Sequence, residues 1–330
     1  MKAIQQNAYG PPSEVVTIVE LPEPEPKPGE IVVELEAAAM HLADLKFING
    51  DPGFRTFTFP RICGHEGLGH VIKLGAGVTE YKVGDRVFLP IGVGTFRQRI
   101  AALAADCPPA PAGDAQQLAL TLINGMTAVI LVDDYAGHVK PGEWILQNGA
   151  NSSCGRYIIK LAHDKGVKTC NIVRRESLIK ELKALDADQV IVETGNVDQT
   201  AELVKTVTAG APISVGFDCV ASTGTETIGR CLARDGTIVN YGYMTGKNCE
   251  VAFQDLFRKH VKLVGMSMQS PRTKEQRKAV YAKLSAMIAG GDLKAKIAAT
   301  YTLDQIQEAL AHQARTGDDR QGKIIILPNG

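Results

Sequence analysis

The sequence predicts an α/β protein in two parts: a parallel sheet wound with helices on both faces, and a smaller β-rich unit. Three observations predict it. From Glu143 onward, short apolar runs alternate with helical stretches. The first of these runs ends in a glycine turn that opens a helix. The first third of the chain is instead rich in turn residues between short β-like segments. Continuous apolar strands alternating with helices argue for a parallel sheet, because each crossover lays a helix over one face.

In the first third, residues 31–35, 70–74 and 86–89 read as strands, separated by Pro-Gly, Gly-Ala-Gly and Gly-Asp turn signals. The proline-rich stretch 21–29 is a polar connector, since strand patterns flank it closely. A second break at 107–113 (Cys-Pro-Pro-Ala-Pro-Ala-Gly) precedes a helical run over 114–135. Strand-like runs then lie at 143–147, 167–173, 189–193, 213–220, 236–242 and 261–268, with helices such as 200–209 and 223–233 between them. A long helix over 273–289 leads to a helix start at Tyr301-Thr-Leu-Asp and a last strand from Gly322. Residues 1–115 and 298–330 are therefore expected to form the β-rich domain, with 116–297 inserted as the parallel-sheet domain.

The glycine turn carries the chemistry. Gln147-Asn148-Gly149-Ala150-Asn151-Ser152-Ser153-Cys154-Gly155 follows the run Glu143-Trp-Ile-Leu, and Cys154, Tyr157 or Ile158, and Leu161 share one helical face. A strand, tight turn and helix start present backbone N–H groups and the positive helix end to a pyrophosphate, the Rossmann arrangement. Only Gly149 and Gly155 are glycines here, so the strict G-x-G-x-x-G spacing is not met. The next apolar run ends in Arg174-Arg175. An acid at that position favours a free ribose 2′-hydroxyl, whereas arginine accommodates a 2′-phosphate, so the expected cofactor is NADP(H). A solvated basic pair opening the following helix is the plainer alternative.

Composition narrows the class. At 330 residues, with 45% hydrophobic and 22% charged residues, the chain supports two ordinary globular cores. Its 36 basic and 36 acidic side chains cancel, and no basic patch points to nucleic acid. No apolar run approaches the roughly 20 residues that span a bilayer. The N-terminus runs into a strand pattern with no signal or transit segment expected. Seven scattered cysteines without a C-x-x-C read as reduced thiols, and the expected location is the cytoplasm.

Gly64-His65-Glu66-Gly67, Val83-Gly84-Asp85-Arg86-Val87, Asn124-Gly-Met-Thr-Ala128 and the terminal Gly322-Lys323 give the chain its resemblance to the medium-chain dehydrogenase/reductases, over essentially its full length. Within that superfamily it most resembles the zinc-free branch of mitochondrial-type trans-2-enoyl thioester reductases and quinone oxidoreductases. Asn151-Ser152, Asn171-Ile-Val-Arg174, Asp218-Cys219-Val220 and Asp235-Gly-Thr-Ile-Val-Asn-Tyr-Gly242 carry that likeness. The resemblance implies a GroES-like catalytic domain plus a Rossmann domain, acting as a homodimer paired through strands near 261–268. It also implies NADPH-dependent hydride transfer to the β-carbon of an activated C=C bond. By resemblance, Asn151, Ser152, Ser153, Cys154 and Gly155 cradle the pyrophosphate and Arg174 binds the 2′-phosphate, with Arg175 an adjacent candidate from charge alone. Cys219, Val220, Tyr241, Gly242, Tyr243 and Met244 are expected near the nicotinamide half. Asn124 and Lys323 are further cofactor candidates.

Departures from the family pattern concern the proton donor. Enoyl reductases of this type carry a catalytic tyrosine in the loop before the Gly64 motif; here the loop reads Asn49-Gly-Asp-Pro-Gly-Phe54, with Pro52 near the tyrosine's place. No tyrosine occurs between Tyr9 and Tyr81. His41, which replaces the branch's asparagine, and Tyr243 are the candidate catalytic groups. His41 also aligns with the first catalytic-zinc cysteine of the alcohol dehydrogenases and His65 with their histidine ligand. With Glu66 these could in principle bind a metal, but the third ligand position is Ile123 and the four-cysteine lobe is missing, so no metal is expected. The leading expectation is a small-molecule reductase of electron-poor alkenes. An NADPH:quinone oxidoreductase, a zinc alcohol dehydrogenase and a non-enzymatic NADPH-binding protein are the alternatives.

Overall fold

A computed structural model describes residues 1–53, 56–268 and 272–330. Along the first part of the chain come β1 (Lys2–Gln6), β2 (Val16–Glu20), β3 (Glu30–Met40), helix α1 (Leu42–Asn49), β4 (Arg61–Ile62), β5 (Glu66–Leu74), β6 (Arg86–Phe88) and β7 (Arg99–Leu103). β2, β1 and β4 form a small antiparallel sheet. β3 is the spine of a second one, pairing with both β5 and β7. It runs well beyond the expected 31–35 because Ala37, Ala38, Ala39 and Met40 are fully buried within the sheet. Alanine favours helix in isolation, but burial against neighbouring strands overrides that weak preference. α1 starts where the Asp44 carboxylate accepts the His41 backbone N–H (2.7 Å) and stops at Gly50 in the left-handed region.

The helical run expected over 114–135 is interrupted. Between short α-helical turns it widens to π-helix at Thr121–Gly125 and again at Ile130–Tyr135. Such i→i+5 stretches are rare and concentrate near functional residues.

The strand–helix alternation then appears as expected: β8 (Trp144–Asn148), α2 (Ser153–His163), β9 (Lys168–Val173), α3 (Leu178–Lys183), β10 (Gln189–Val192), α4 (Val197–Val207), β11 (Ile213–Asp218), α5 (Thr223–Cys231), β12 (Thr237–Asn240), α6 (Phe253–Phe257) and β13 (Lys262–Gly265). The six strands form one parallel sheet in the order β10-β9-β8-β11-β12-β13. Strand order reverses between β8 and β11, and at such a switch point the carboxyl ends of the strands open a crevice. Trp144, Leu146, Cys170, Ile172, Ile213, Ile228 and Ile238 fill a core of this sheet.

The chain closes with α7 (Lys274–Gly290), β14 (Ile297–Tyr301), α8 (Ile306–Ala314) and β15 (Lys323–Ile326). β14 and β15 extend the β3 sheet to the order β14-β15-β3-β5-β6, so the C-terminal strand lies directly against β3. Two compact units result: Met1–Ile123 with Thr273–Gly330, and Asn124–Arg272. The boundaries differ from the expected 115/116 and 297/298. The Gln117 side chain both donates to and accepts from the Ala295 backbone, and Gly113 packs on Ala289, which draws α7 into the β-rich unit.

Candidate active site

In the parallel-sheet unit, the turn after β8 is built as a helix start. Ser152 caps α2, its hydroxyl accepting the Gly155 N–H at 3.0 Å, while its own N–H donates to the Gly149 carbonyl. Gly149 sits in the left-handed region (φ 58°), and a Cβ there would lie 2.3 Å from Cys219 Sγ. A Cβ on Gly155 would lie 2.6 Å from the Ala150 carbonyl oxygen, so only glycine lets helix and turn approach this closely. The buried Arg156 holds the turn from behind, donating to the Asn151 carbonyl and to Glu181. Ser153 and Cys154 are buried, whereas Asn151 and Ser152 are partly open.

Beyond β9, Arg174 is exposed and Arg175 half-buried. Parallel register sets Glu193 beside them, its N–H donating to the Val173 carbonyl at 2.9 Å. Partial burial raises the Glu193 carboxyl, and the nearby Arg174 charge opposes that rise.

At the switch point, Asp218 is fully buried and accepts hydrogen bonds from five groups. These are the Asn148 amide (2.7 Å), the Val220 and Ala221 N–H groups, the Thr225 hydroxyl (2.6 Å) and the Asn240 amide. The Asn148 amide oxygen in turn accepts the Cys219 N–H. The backbone after it is strained, with Ala221 and Ser222 both at positive φ. The Tyr241 N–H donates to the Asp218 carbonyl and the Met244 N–H to the Cys219 carbonyl, which holds Cys219, Val220, Tyr241 and Gly242 just past the carboxyl ends of β11 and β12. Burial pushes the Cys219 thiol up to about 12, with Asp218 adding to the rise, so it is neither a thiolate nor a nucleophile at neutral pH. Burial also pushes the Tyr241 hydroxyl well above its usual range and keeps it a proton-bearing donor. The Asn124 amide oxygen is buried without a hydrogen-bond partner among the described residues.

In the β-rich unit, the ends of β3, β5 and β15 gather a chain of ionisable groups. The Lys323 ammonium donates to His41 Nδ1 (2.9 Å), and His41 Nε2 lies 2.7 Å from Glu66 Oε1. Glu66 Oε2 accepts the Ile123 N–H at 2.7 Å. Because an ammonium has no acceptor, Nδ1 must be the accepting nitrogen and Nε2–H the donor to Glu66. A second pair lies alongside: His65 Nδ1 is 2.5 Å from Asp44 Oδ1, with the ring stacked on Phe47. Burial alone would raise the Asp44 carboxyl, but His65 and the His41 backbone N–H hold it below the usual carboxylate range. Among the described residues, no group of three His, Cys, Asp or Glu side chains is arranged to hold a metal ion. Both ring nitrogens of His41, both carboxylate oxygens of Glu66 and Nδ1 of His65 are engaged by neighbouring protein groups.

Comparison with known proteins agrees with this geometry. The model of the alcohol dehydrogenase GroES-like domain matches residues 27–134, and that of the zinc-binding dehydrogenases matches 154–286. The mitochondrial enoyl-[acyl-carrier-protein] reductase of Xenopus tropicalis is 30% identical over 271 residues, 78% of this chain and 74% of the relative. Its counterpart from Arabidopsis thaliana is 29% identical, over 82% and 72%. Among solved structures, the Escherichia coli quinone oxidoreductase complexed with NADPH superposes with a TM-score of 0.85 at 25% identity, covering 99% of this chain and 100% of that one. The chain belongs to the medium-chain dehydrogenase/reductase superfamily. The GroES-like unit and the Rossmann-type unit expected from the sequence are both present.

The loop in which the resemblance implied a tyrosine holds none. Pro52 and Gly53 are exposed after the α1 cap, and Phe54 lies outside the described residues. The Tyr243 hydroxyl donates to the Gly246 carbonyl (2.6 Å) within its own turn. His41 has both ring nitrogens engaged, and Lys323, expected at the cofactor, gives a hydrogen bond to His41. Three contributors escaped the sequence reading. Arg156 and Glu193 act through contacts set by helix docking and strand order, which no local pattern encodes. Asp218 was visible only as part of a motif, although an acid closing an apolar strand at the switch point is a usable signal.

Proposed function

We propose that this chain is an NADPH-dependent reductase that delivers hydride to the β-carbon of an activated C=C bond, such as a 2-enoyl thioester or an enone. The observation that carries the reading is the Ser152-capped start of α2 after β8 combined with the exposed Arg174 beyond β9. The first offers helix-end N–H groups to a pyrophosphate, the second a guanidinium to a 2′-phosphate. The residues fit such a dinucleotide in a further respect, since the buried Asn124 oxygen needs a donor that none of the described residues supplies. Asn151, Ser152, Ser153, Cys154 and Gly155 would hold the pyrophosphate, Arg174 with Arg175 the adenosine 2′-phosphate, and Cys219, Val220, Tyr241, Gly242, Tyr243 and Met244 the nicotinamide half.

The bound cofactor supplies the hydride, and the protein supplies orientation and charge. Hydride arriving at the β-carbon leaves negative charge on the substrate carbonyl, which needs hydrogen-bond donors, and an α-carbon that needs a proton. The enoyl reductase relatives carry this activity in their names. A second reading, quinone reduction, is favoured by the absence of tyrosine from the loop at Pro52. Quinone oxygens take protons from solvent readily and ask less of the protein.

We further propose that the reductase works without zinc, since both nitrogens of His41 and both carboxylate oxygens of Glu66 are engaged with protein groups and the third ligand position is Ile123. The cytoplasm is the compartment that fits seven free cysteines. A homodimer is supported by the sheet edge at β13, where Leu263 is exposed, and by Phe253 and Phe257 on α6, exposed at 73% and 67%. No helix among the described residues is long and apolar enough to cross a membrane. The test is NADPH consumption against crotonyl-CoA, an α,β-enone and a naphthoquinone side by side, with NADH as the competing reductant. Turnover confined to the quinone would remove the enoyl reading, and one zinc per chain on metal analysis would remove the zinc-free one.

A further inference from the structure

The two strand ends beyond the turn carry an acid as well as a base. β9 and β10 run parallel with Val192 opposite Val173, so Glu193 and Arg174 follow as the next pair, just past the carboxyl ends. The Glu193 backbone is tied on both sides. Its own N–H donates to the Val173 carbonyl at 2.9 Å, and the Thr194 N–H donates to the Thr200 hydroxyl of α4 at 3.2 Å. Both side chains are exposed, open to a ligand arriving from solvent. Burial raises the Glu193 carboxyl and the Cys219 thiol, and the Arg174 charge opposes both rises. That charge therefore acts on the acid beside it as well as on the switch point. Around the strand ends Arg174 and Arg175 are balanced by Glu176 and Glu193. A phosphate monoester carries about two negative charges, so it gains from a guanidinium and is repelled by a carboxylate. A ribose hydroxyl is uncharged and can donate to that same carboxylate.

Resting on the cofactor reading above, we propose that Glu193 is a specificity-determining residue that holds down the preference for NADPH, so that the chain also binds NADH. Arg174 attracts the 2′-phosphate, and Glu193, set beside it by strand register, opposes the same group. NADH has no 2′-phosphate and feels neither effect. Glu193 has this place rather than Glu176, because register pairs it with Arg174 itself. Glu176 lies beyond the strand end, in the turn that leads to α3. An arginine at the end of β9 therefore overstates the discrimination. The acid that counteracts it stands on the neighbouring strand, where only the folded sheet brings the two together.

The experiment titrates NADPH and NADH into the full chain, followed by nicotinamide fluorescence, for wild type, Glu193→Gln, Glu193→Asp and Arg174→Ala. Glu193→Gln removes the charge and keeps the size. It is expected to tighten NADPH binding about three- to tenfold at low salt and to leave the NADH Kd within about twofold. The gain should shrink at about 0.5 M NaCl, because an exposed charge is then screened, whereas a gain from altered packing would persist. Glu193→Asp keeps the charge and should stay near wild type. Unchanged NADPH binding in Glu193→Gln overturns the proposal. So does weakened binding, which makes Glu193 a support for Arg174, and so does an equal gain for both reductants, which sets the effect away from the phosphate. Arg174→Ala distinguishes the two levels. If it leaves NADPH affinity unchanged, or if wild type binds neither reductant, the cofactor reading falls first and the proposal with it. If it weakens NADPH alone while Glu193→Gln changes nothing, the cofactor reading stands and this proposal alone is removed.

Discussion

Asn148 and Asp218 lie 70 positions apart in sequence, yet the Asn148 amide donates to a carboxylate oxygen of Asp218 across 2.7 Å. The bond ties the carboxyl end of β8 to that of β11, where the strand order reverses. The Asn148 oxygen returns a hydrogen bond from the Cys219 N–H, so one amide joins both sides of the crevice floor.

Removing that anchor should cost both stability and cofactor binding. Asp218→Ala strands buried donors on Asn148, Thr225 and Asn240, each worth about 1–3 kcal/mol when left unmade. We expect at least ~3 kcal/mol lost in urea denaturation and a raised Kd for NADPH. Wild-type stability in the variant would mean that water replaces the carboxylate without loss.

Arg174→Ala tests the adenosine end. Charge-assisted hydrogen bonds contribute about 1.5–3 kcal/mol, so NADPH affinity should fall about tenfold or more. NADH affinity should stay near its starting value, because it has no 2′-phosphate to lose. Fluorescence titration with both reductants measures the ratio, and equal losses would remove Arg174 from phosphate recognition.

The turn after β8 has almost no room to give. In Gly155→Ala the new methyl would meet the Ala150 carbonyl oxygen at 2.6 Å, a backbone atom that cannot swing aside. Overpacking of this kind costs about 1–3 kcal/mol. The melting temperature should fall and NADPH binding weaken together, whereas an unchanged melting temperature would show that the helix start shifts freely.

Asp44 gives a pH signature. Its folded carboxyl lies below the usual range, held there against burial by His65 and His41. A depressed carboxylate adds stability that is complete above the unfolded value near 4 and is lost as pH falls through the lower folded value. Asp44→Asn should therefore be less stable than wild type at neutral pH, by about 1–3 kcal/mol. The two stability curves should converge below about pH 4. Parallel curves down to pH 3 would exclude the ion pair as the cause.

Much of the fold was legible in the chain. Five of the six strands of the parallel sheet lie within runs read from apolar periodicity and β8 overruns its run only by Asn148, because strands buried on both faces must be continuously apolar. The tight turn and helix start over 147–155 were legible because such turns and helix starts demand particular residue types. The extension of β3 through its alanines was not, since local preference there opposes the tertiary outcome. Nor were the domain boundaries, which depend on Gln117 reaching Ala295.

By itself, then, the sequence determined the architecture, the glycine turn after β8 and the arginine expected to select the cofactor, all written in contiguous residues. Only the tertiary structure decided what Lys323, His41 and Glu66 are. They come from three distant segments, and strand register alone brings an ammonium, an imidazole and a carboxylate into one hydrogen-bonded line. In the parallel sheet, strand order likewise sets Glu193 beside Arg174 and brings the Asn148 and Asn240 amides onto Asp218. Such groups are invisible to periodicity because their partners are chosen by the order of strands in a sheet, not by spacing along the chain.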